Sequence, residues 1–221
     1  MKTTALLCLT FCCLSCFSWA QEIKDPDRLL NSSEARKKLV FGLKAGLNSS
    51  NIYNQSTTTY IASARIGGMV GALLCLPIGP LLGLQPEIHI SQKGFIASGQ
   101  ISNEPYTLTR STTHLDLPLL LQIKPFSFLS IVGGPQYSYL LKQRDDYSST
   151  GNYEAITQNF STTNCHKNLL GIVTGADLNL WHLVLSLRTG WDLTANHSTG
   201  QSSTPRYKNL WLQASIGYRI Y

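Results

Sequence analysis

Charged side chains are scarce in this 221-residue chain: 12 acidic and 18 basic residues amount to 14% of it, where ordinary soluble domains carry roughly a quarter. A cytosolic enzyme with a heavily hydrated surface is a poor fit to that composition. Cysteine is scarcer than its total implies. Of six cysteines, Cys8, Cys12, Cys13 and Cys16 fall in the first twenty residues, which leaves Cys75 and Cys165. Two isolated thiols make neither a disulfide framework nor a zinc site. The chain also lacks a Ser-His-Asp set, metal-ligand spacing and a Gly-rich phosphate loop. No catalytic, cofactor-binding or metal-binding residue is therefore nominated. The formal charge of +6 lies partly in Arg36-Lys37-Lys38 and otherwise at scattered positions. Without an aromatic platform beside it, that excess does not mark a nucleic-acid partner.

What is present begins with an address. Lys2 precedes an apolar run from Ala5 to Phe17 and a small-x-small site, Ser18-Trp19-Ala20, which reads as a secretory signal peptide over residues 1–20. The rival is acylation at Cys16, where Cys13 replaces the leucine usually found three residues ahead. Residues 21–38 are polar and charged and read as a periplasmic extension, with Asn31-Ser-Ser-Glu34 placed to cap a short helix.

From Leu39 the pattern has period two. Leu39, Phe41, Leu43, Ala45 and Leu47 alternate with Val40, Gly42, Lys44, Gly46 and Asn48, and the tail alternates likewise from Leu210 to Ile220 before ending on Tyr221. Such alternation marks strands between two different media. Residues 66–84 are uncharged and long enough to imitate a transmembrane helix. Pro77 and Pro80 around Ile78-Gly79 instead predict a hairpin turn. Further pairs of strands surround Pro125-Phe-Ser-Phe128 and Trp181-His182. Tight turns alternate with long polar loops, at about 49–60, 92–112, 142–167 and 195–209. That is the signature of an all-β, eight-stranded antiparallel up-and-down transmembrane β-barrel over residues 39–221, lipid outside and a polar lumen inside. With eight strands both termini fall on the short-turn side, the periplasm.

This parity sends Lys44, Arg65, Gln85, Glu87, His89, Asp116, Gln122, Lys124, Asp177, Arg188, Asp192 and Arg219 into the lumen. Glu87 with His89 or Asp116 offers an acid-base pair on paper. An eight-stranded lumen is only wide enough for side chains to fill, so the expectation is a structural polar network of Lys44, Arg65, Glu87, His89, Asp116, Arg188, Asp192 and Arg219. Its expected core is Glu87 with Arg65, Lys44 or Arg188. Inward glycines at 42, 46, 67, 71 and 83 are expected to leave some space near the first strands. Cys75 and Cys165 are expected at opposite ends of the barrel, too far apart for a disulfide. The 142–167 loop, with Tyr147, Tyr153 and Phe160 among polar residues, suits protein or glycan contact.

Five segments resemble the PorT-like outer-membrane β-barrel family of Bacteroidetes: Phe41-Gly-Leu-Lys-Ala-Gly-Leu-Asn-Ser-Ser50, Gln85-Pro-Glu-Ile-His-Ile-Ser-Gln-Lys-Gly94, Leu115-Asp-Leu-Pro-Leu-Leu-Leu-Gln122, Gly134-Pro-Gln-Tyr-Ser-Tyr-Leu-Leu141 and Gly217-Tyr-Arg219. The chain departs from that pattern at Asp116, where glutamate is common, and in its Arg-Ile-Tyr ending. The resemblance implies a small outer-membrane barrel and, for some members, a part in secretion or surface assembly. The expected function is thus a non-enzymatic integral outer-membrane protein with a structural, adhesive or assembly role. Its expected partners are outer-membrane lipid and, through the long loops, envelope or secretion proteins or glycans. The alternatives are a narrow solute channel and a secreted lipocalin-like barrel, whose apolar face would point inward.

Overall fold

The computed structural model describes residues 39–53, 60–101, 104–149, 152–158, 166–196 and 207–220. The expected signal peptide, the N-terminal extension, Cys165 and Tyr221 lie outside them. Nine strands are described: β1 (Val40–Tyr53), β2 (Tyr60–Pro77), β3 (Leu82–Ile101), β4 (Glu104–Ile123), β5 (Leu129–Ser149), β6 (Asn152–Gln158), β7 (Asn168–Leu180), β8 (Leu183–Asp192) and β9 (Lys208–Ile220). Eight of them close a ring in the order β1-β2-β3-β4-β5-β7-β8-β9, every neighbour antiparallel. The ring closes because β1 pairs with β9 from Phe41 opposite Ile220 to Tyr53 opposite Lys208. Closure leaves no sheet edge within the ring, the condition for a sheet to cross a bilayer.

The alternation read from the sequence is the alternation of exposure. In β1 the odd-numbered Phe41, Leu43 and Leu47 are exposed while Val40, Lys44 and Asn48 are buried. In β9, Leu210, Leu212, Ile216 and Tyr218 are exposed and Trp211, Gln213 and Ser215 are buried. This inverts a soluble barrel and removes the lipocalin-like alternative. The uncharged stretch over 66–84 is a hairpin, with Pro77 ending β2 and the Ile78 and Gly79 amides bonded to the Leu82 carbonyl. Trp181-His182 links β7 to β8, with Trp181 at φ 55°, the left-handed conformation that two-residue hairpins demand.

Two expected loops are corrected. The segment 92–112 is mostly strand, since β3 runs to Ile101 and β4 starts at Glu104. The segment 142–167 contains the end of β5 and the short returning strand β6, paired from Gln143 opposite Gln158 to Ser149 opposite Asn152. Polar composition suggested loops there, but cross-strand pairing holds such residues in a sheet once a hairpin brings them together. The ring is consequently uneven in height. Strands β7, β8, β9 and β1 have 13, 10, 13 and 14 residues, while β2 to β5 have 18, 20, 20 and 21. The extra length projects from the end opposite the tight turns.

The inward glycines are a second correction. A Cβ on Gly46 would lie 2.2 Å from the Ala214 carbonyl oxygen, and one on Gly71 would lie 2.3 Å from that of Ile88. Glycine stands there because neighbouring strands come close, so those positions hold no spare volume.

Candidate functional site

The lumen is filled from the tight-turn end upward. Val40, Leu73 and Cys75 form an apolar layer at that end. The Cys75 thiol is free and buried, 3.4 Å from Gln85 Oε1. Beside this layer Arg219 donates to Asn179 Oδ1, and Asn179 donates to Ser130 Oγ at 2.8 Å.

Above it sits a compact charged cluster. Lys44 Nζ donates to Glu87 Oε2 at 2.5 Å, and Arg188 Nη2 lies 3.3 Å from Glu87 Oε1. Arg188 also reaches both Asp177 oxygens at 2.9 Å. Gln85 donates to Glu87 at 2.6 Å, and His89 Nε2 stands 2.7 Å from Glu87 Oε2. Two cations therefore face two carboxylates, the balance that burial requires. Arg65 does not join them. It lies opposite Ser50 on β1, whereas Glu87 is level with Leu73, several residues lower on β2. Parity placed Arg65 on the correct face, but strand register set its height. It makes no ion pair among the described residues.

A second cluster lies higher. Lys93 Nζ approaches Asp116 Oδ1 at 3.1 Å, Ser91 donates to Asp116 Oδ2 at 2.5 Å, and the Lys93 ammonium stands 5.3 Å from the centre of the Trp211 ring. Trp211 packs with Leu120, Val132 and Val173 across the lumen. Asp192 accepts from Asn209 at 2.6 Å. Lys93 lies in a segment whose polar composition reads as loop; extending the β3 alternation two residues beyond Ser91 finds it.

The third cluster closes the tall end. Arg110 makes a bidentate pair with Asp145, Nε to Oδ1 and Nη2 to Oδ2 each at 2.7 Å, and Gln143 donates to Asp145 at 3.2 Å. Tyr207 meets Phe95 edge-on at 5.1 Å and covers this pair with Ala97. Burial works against the Arg110 charge, but the Tyr207 hydroxyl and the Asp145 carboxylate outweigh it and leave its pKa raised. Between the second and third clusters is a cavity of about 20 Å³ lined by Thr112, His114, Gln143, Asn209 and neighbours, room for about one water. Among the described residues no group of three or more His, Cys, Asp or Glu side chains is placed to hold a metal.

The exterior completes the geometry. Apolar side chains including Leu43, Val70, Ile90, Leu119, Ile131, Ile172, Leu187 and Ile216 are exposed on every strand of the ring. They form a band about ten residues high, the span a tilted strand needs to cross a bilayer. Phe126, Phe128, Trp181 and Tyr218 lie along its lower edge, where aromatic rings belong at a membrane interface.

A polar, charge-balanced interior inside an apolar exterior is a membrane barrel, and the model of one family, described as outer membrane protein beta-barrel domain, matches residues 19–198. The chain belongs to that family. It is an integral outer-membrane β-barrel protein. Among solved structures, it is similar to the attachment invasion locus protein Ail of Yersinia pestis, crystallised with the heparin analogue sucrose octasulfate. The two share 11% identity over 83% of this chain and 99% of that one, with a TM-score of 0.48. Neisserial surface protein A shares 12% identity over 81% of this chain and 97% of its own, with a TM-score of 0.47. OprG from Pseudomonas aeruginosa shares 12% over 84% and 97%, also at 0.47. No curated protein matches the chain. Within the family's barrel, all eight residues expected in the lumen network face inward. Lys44, Glu87, His89 and Arg188 meet in one cluster, Asp116 and Asp192 lie higher, and Arg65 and Arg219 stand apart from all three.

Proposed function

We propose that this protein is a non-enzymatic outer-membrane component of the PorT-like kind from Bacteroidetes, with both termini in the periplasm, which displays its tall β2–β6 wall to the cell exterior for adhesion or assembly. The lumen network is structural in this reading. The carrying observation is the uneven ring: a bilayer requires only the height of β7, β8 and β9, yet the wall continues as ordered sheet well beyond it. Its outward face bears Ser98, Thr107, Thr109, Ser111 and Thr113, while behind them, on the inward parity of β4 and β5, Tyr106 stacks on Tyr147 at 5.7 Å. A hydroxyl-rich sheet face, stiffened from behind by stacked aromatic rings, suits protein or glycan contact. The three filled layers oppose a channel role, and the ion pairs leave Glu87 and Asp116 engaged with Lys44, Arg188 and Lys93 rather than with a reactant.

The reading is tested by replacing residues 144–157 with a two-residue Asn-Gly turn. The shortened barrel is expected to insert normally and to lose attachment of the cells to protein- or glycan-coated surfaces, while the intact protein stays silent in planar bilayers. Steady conductance by the intact protein, or attachment unaffected by the shortening, overturns it.

A further inference from the structure

The exterior of β5 changes character at one point. Below Leu141 its odd-numbered residues face out, with Ile131, Tyr137, Tyr139 and Leu141 exposed. Above it, even-numbered Lys142 and Arg144 are exposed while Gln143 and Asp145 are buried. The switch is a β-bulge: Thr113 on β4 pairs with Lys142 and His114 with Leu140, so Leu141 is the extra residue. A bulge of this kind re-aims every side chain beyond it. Here it sorts charge, sending the acid inward to Arg110 and two cations outward. Without it, Asp145 would face the membrane side and Lys142 and Arg144 would enter the lumen.

Those two cations stand immediately above the apolar band. Lys142 is cross-strand from Thr113, which is itself paired with Gln92, and Arg144 is cross-strand from Ser111. Arg144 Nε is oriented by Asp146 Oδ1 at 2.9 Å and its side chain remains half exposed. Lys142 makes no ion pair among the described residues. We infer that Lys142 and Arg144, with the Thr113 and Ser111 hydroxyls beside them, form a ledge that binds the phosphate of a membrane lipid headgroup. Three features select that occupant. The ledge continues the lipid-contacting stripe of the same strand without a break, so lipid tails on Tyr139 and Leu141 bring their headgroups to this height. Its net charge, from Lys142 and Arg144 less the Asp146 carboxylate, is positive and complementary to phosphate. Its hydroxyl pair supplies neutral donors to the oxygens the cations leave uncovered. The leaflet concerned, the outer one with its phosphorylated glycolipid, rests on the orientation proposed above.

The test uses the full chain folded in detergent micelles, titrated with bis-phosphorylated lipid A and with the same lipid after dephosphorylation. The native protein is expected to prefer the phosphorylated lipid by about fivefold at low salt, the effect of the one net positive charge that Asp146 leaves on the ledge, and the preference should shrink as salt rises. In the Lys142→Gln, Arg144→Gln double variant the preference should fall to near unity, with the electrophoretic mobility of the folded barrel unchanged. Equal binding of both lipids by the native chain, or an undiminished preference in the folded double variant, overturns the ledge. Orientation is tested apart from it: a Lys142→Cys, Cys165→Ser variant on intact cells should react with a membrane-impermeant maleimide. Absence of labelling beside an intact phosphate preference removes the outer leaflet and the proposed orientation and leaves the ledge standing.

Discussion

The two sides of this ring obey different rules although they share one sheet. On the short side, β7, β8, β9 and β1 are little longer than the bilayer they cross, and their outward residues are mostly apolar. On the tall side, β3, β4 and β5 carry the same aliphatic stripe over their lower halves and then continue with serine, threonine and charge on the outward face. Lipid holds the first arrangement together, because an unpaired backbone group in hydrocarbon is costly and only the closed ring satisfies all of them. The upper wall has water as its alternative partner and so needs its own fastening. Phe95, Ala97 and Tyr207 packed behind it, and the Arg110–Asp145 pair, supply that fastening.

The largest expected effect tests what both sides share. Arg188→Met removes one of two cations facing Glu87 and Asp177, and a buried pair broken on one side costs about 3–5 kcal/mol. Urea unfolding in micelles, followed by tryptophan fluorescence, should show the loss, and an unchanged midpoint would mean that water already solvates the cluster. Next comes the boundary between lipid and water. Leu187, 55% exposed and near mid-height on β8, should cost about 2–4 kcal/mol as Leu187→Arg, while Thr109→Arg on the upper wall should stay within about 0.5 kcal/mol. Equal costs for the two arginines would erase the distinction between the sides. A more local effect sharpens it: Arg110→Met removes charged hydrogen bonds worth about 1.5–3 kcal/mol. The loss should be local, with faster amide exchange in the upper parts of β3, β4 and β5 and unchanged protection in β8 and β9. Exchange that accelerates around the whole ring would show one cooperative unit instead.

Legibility in the sequence followed the same division. The lower barrel was readable because two media impose alternation, and Leu115 to Ile123 or Leu183 to Asp192 can be assigned from that alone. The upper wall was not. From Gln92 to Thr112 both faces meet polar surroundings or packed side chains, so Thr107 and Thr109 carry no apolar contrast against Leu108 and Arg110. On β5 the bulge at Leu141 also shifts the parity, and a period-two reading carried past it assigns Lys142 to Asp145 to the wrong faces. The lumen residues were legible as a set, since parity fixes the face. Their partners were not: Arg65 was expected near Glu87 and stands well above it, while Lys93 and Arg110 carry two of the three charged clusters from segments that read as loop.

The sequence by itself determined that this chain is an eight-stranded barrel with a polar interior and an apolar exterior, because side-chain direction along a strand has a period of two and needs no knowledge of neighbours. Only the tertiary structure decided how high each strand rises, which lumen charges pair, and that Lys142 and Arg144 look outward while Asp145 looks in. Register and bulges are relations between strands, fixed by cross-strand hydrogen bonds and packing between residues far apart in the chain. No single stretch of sequence contains them.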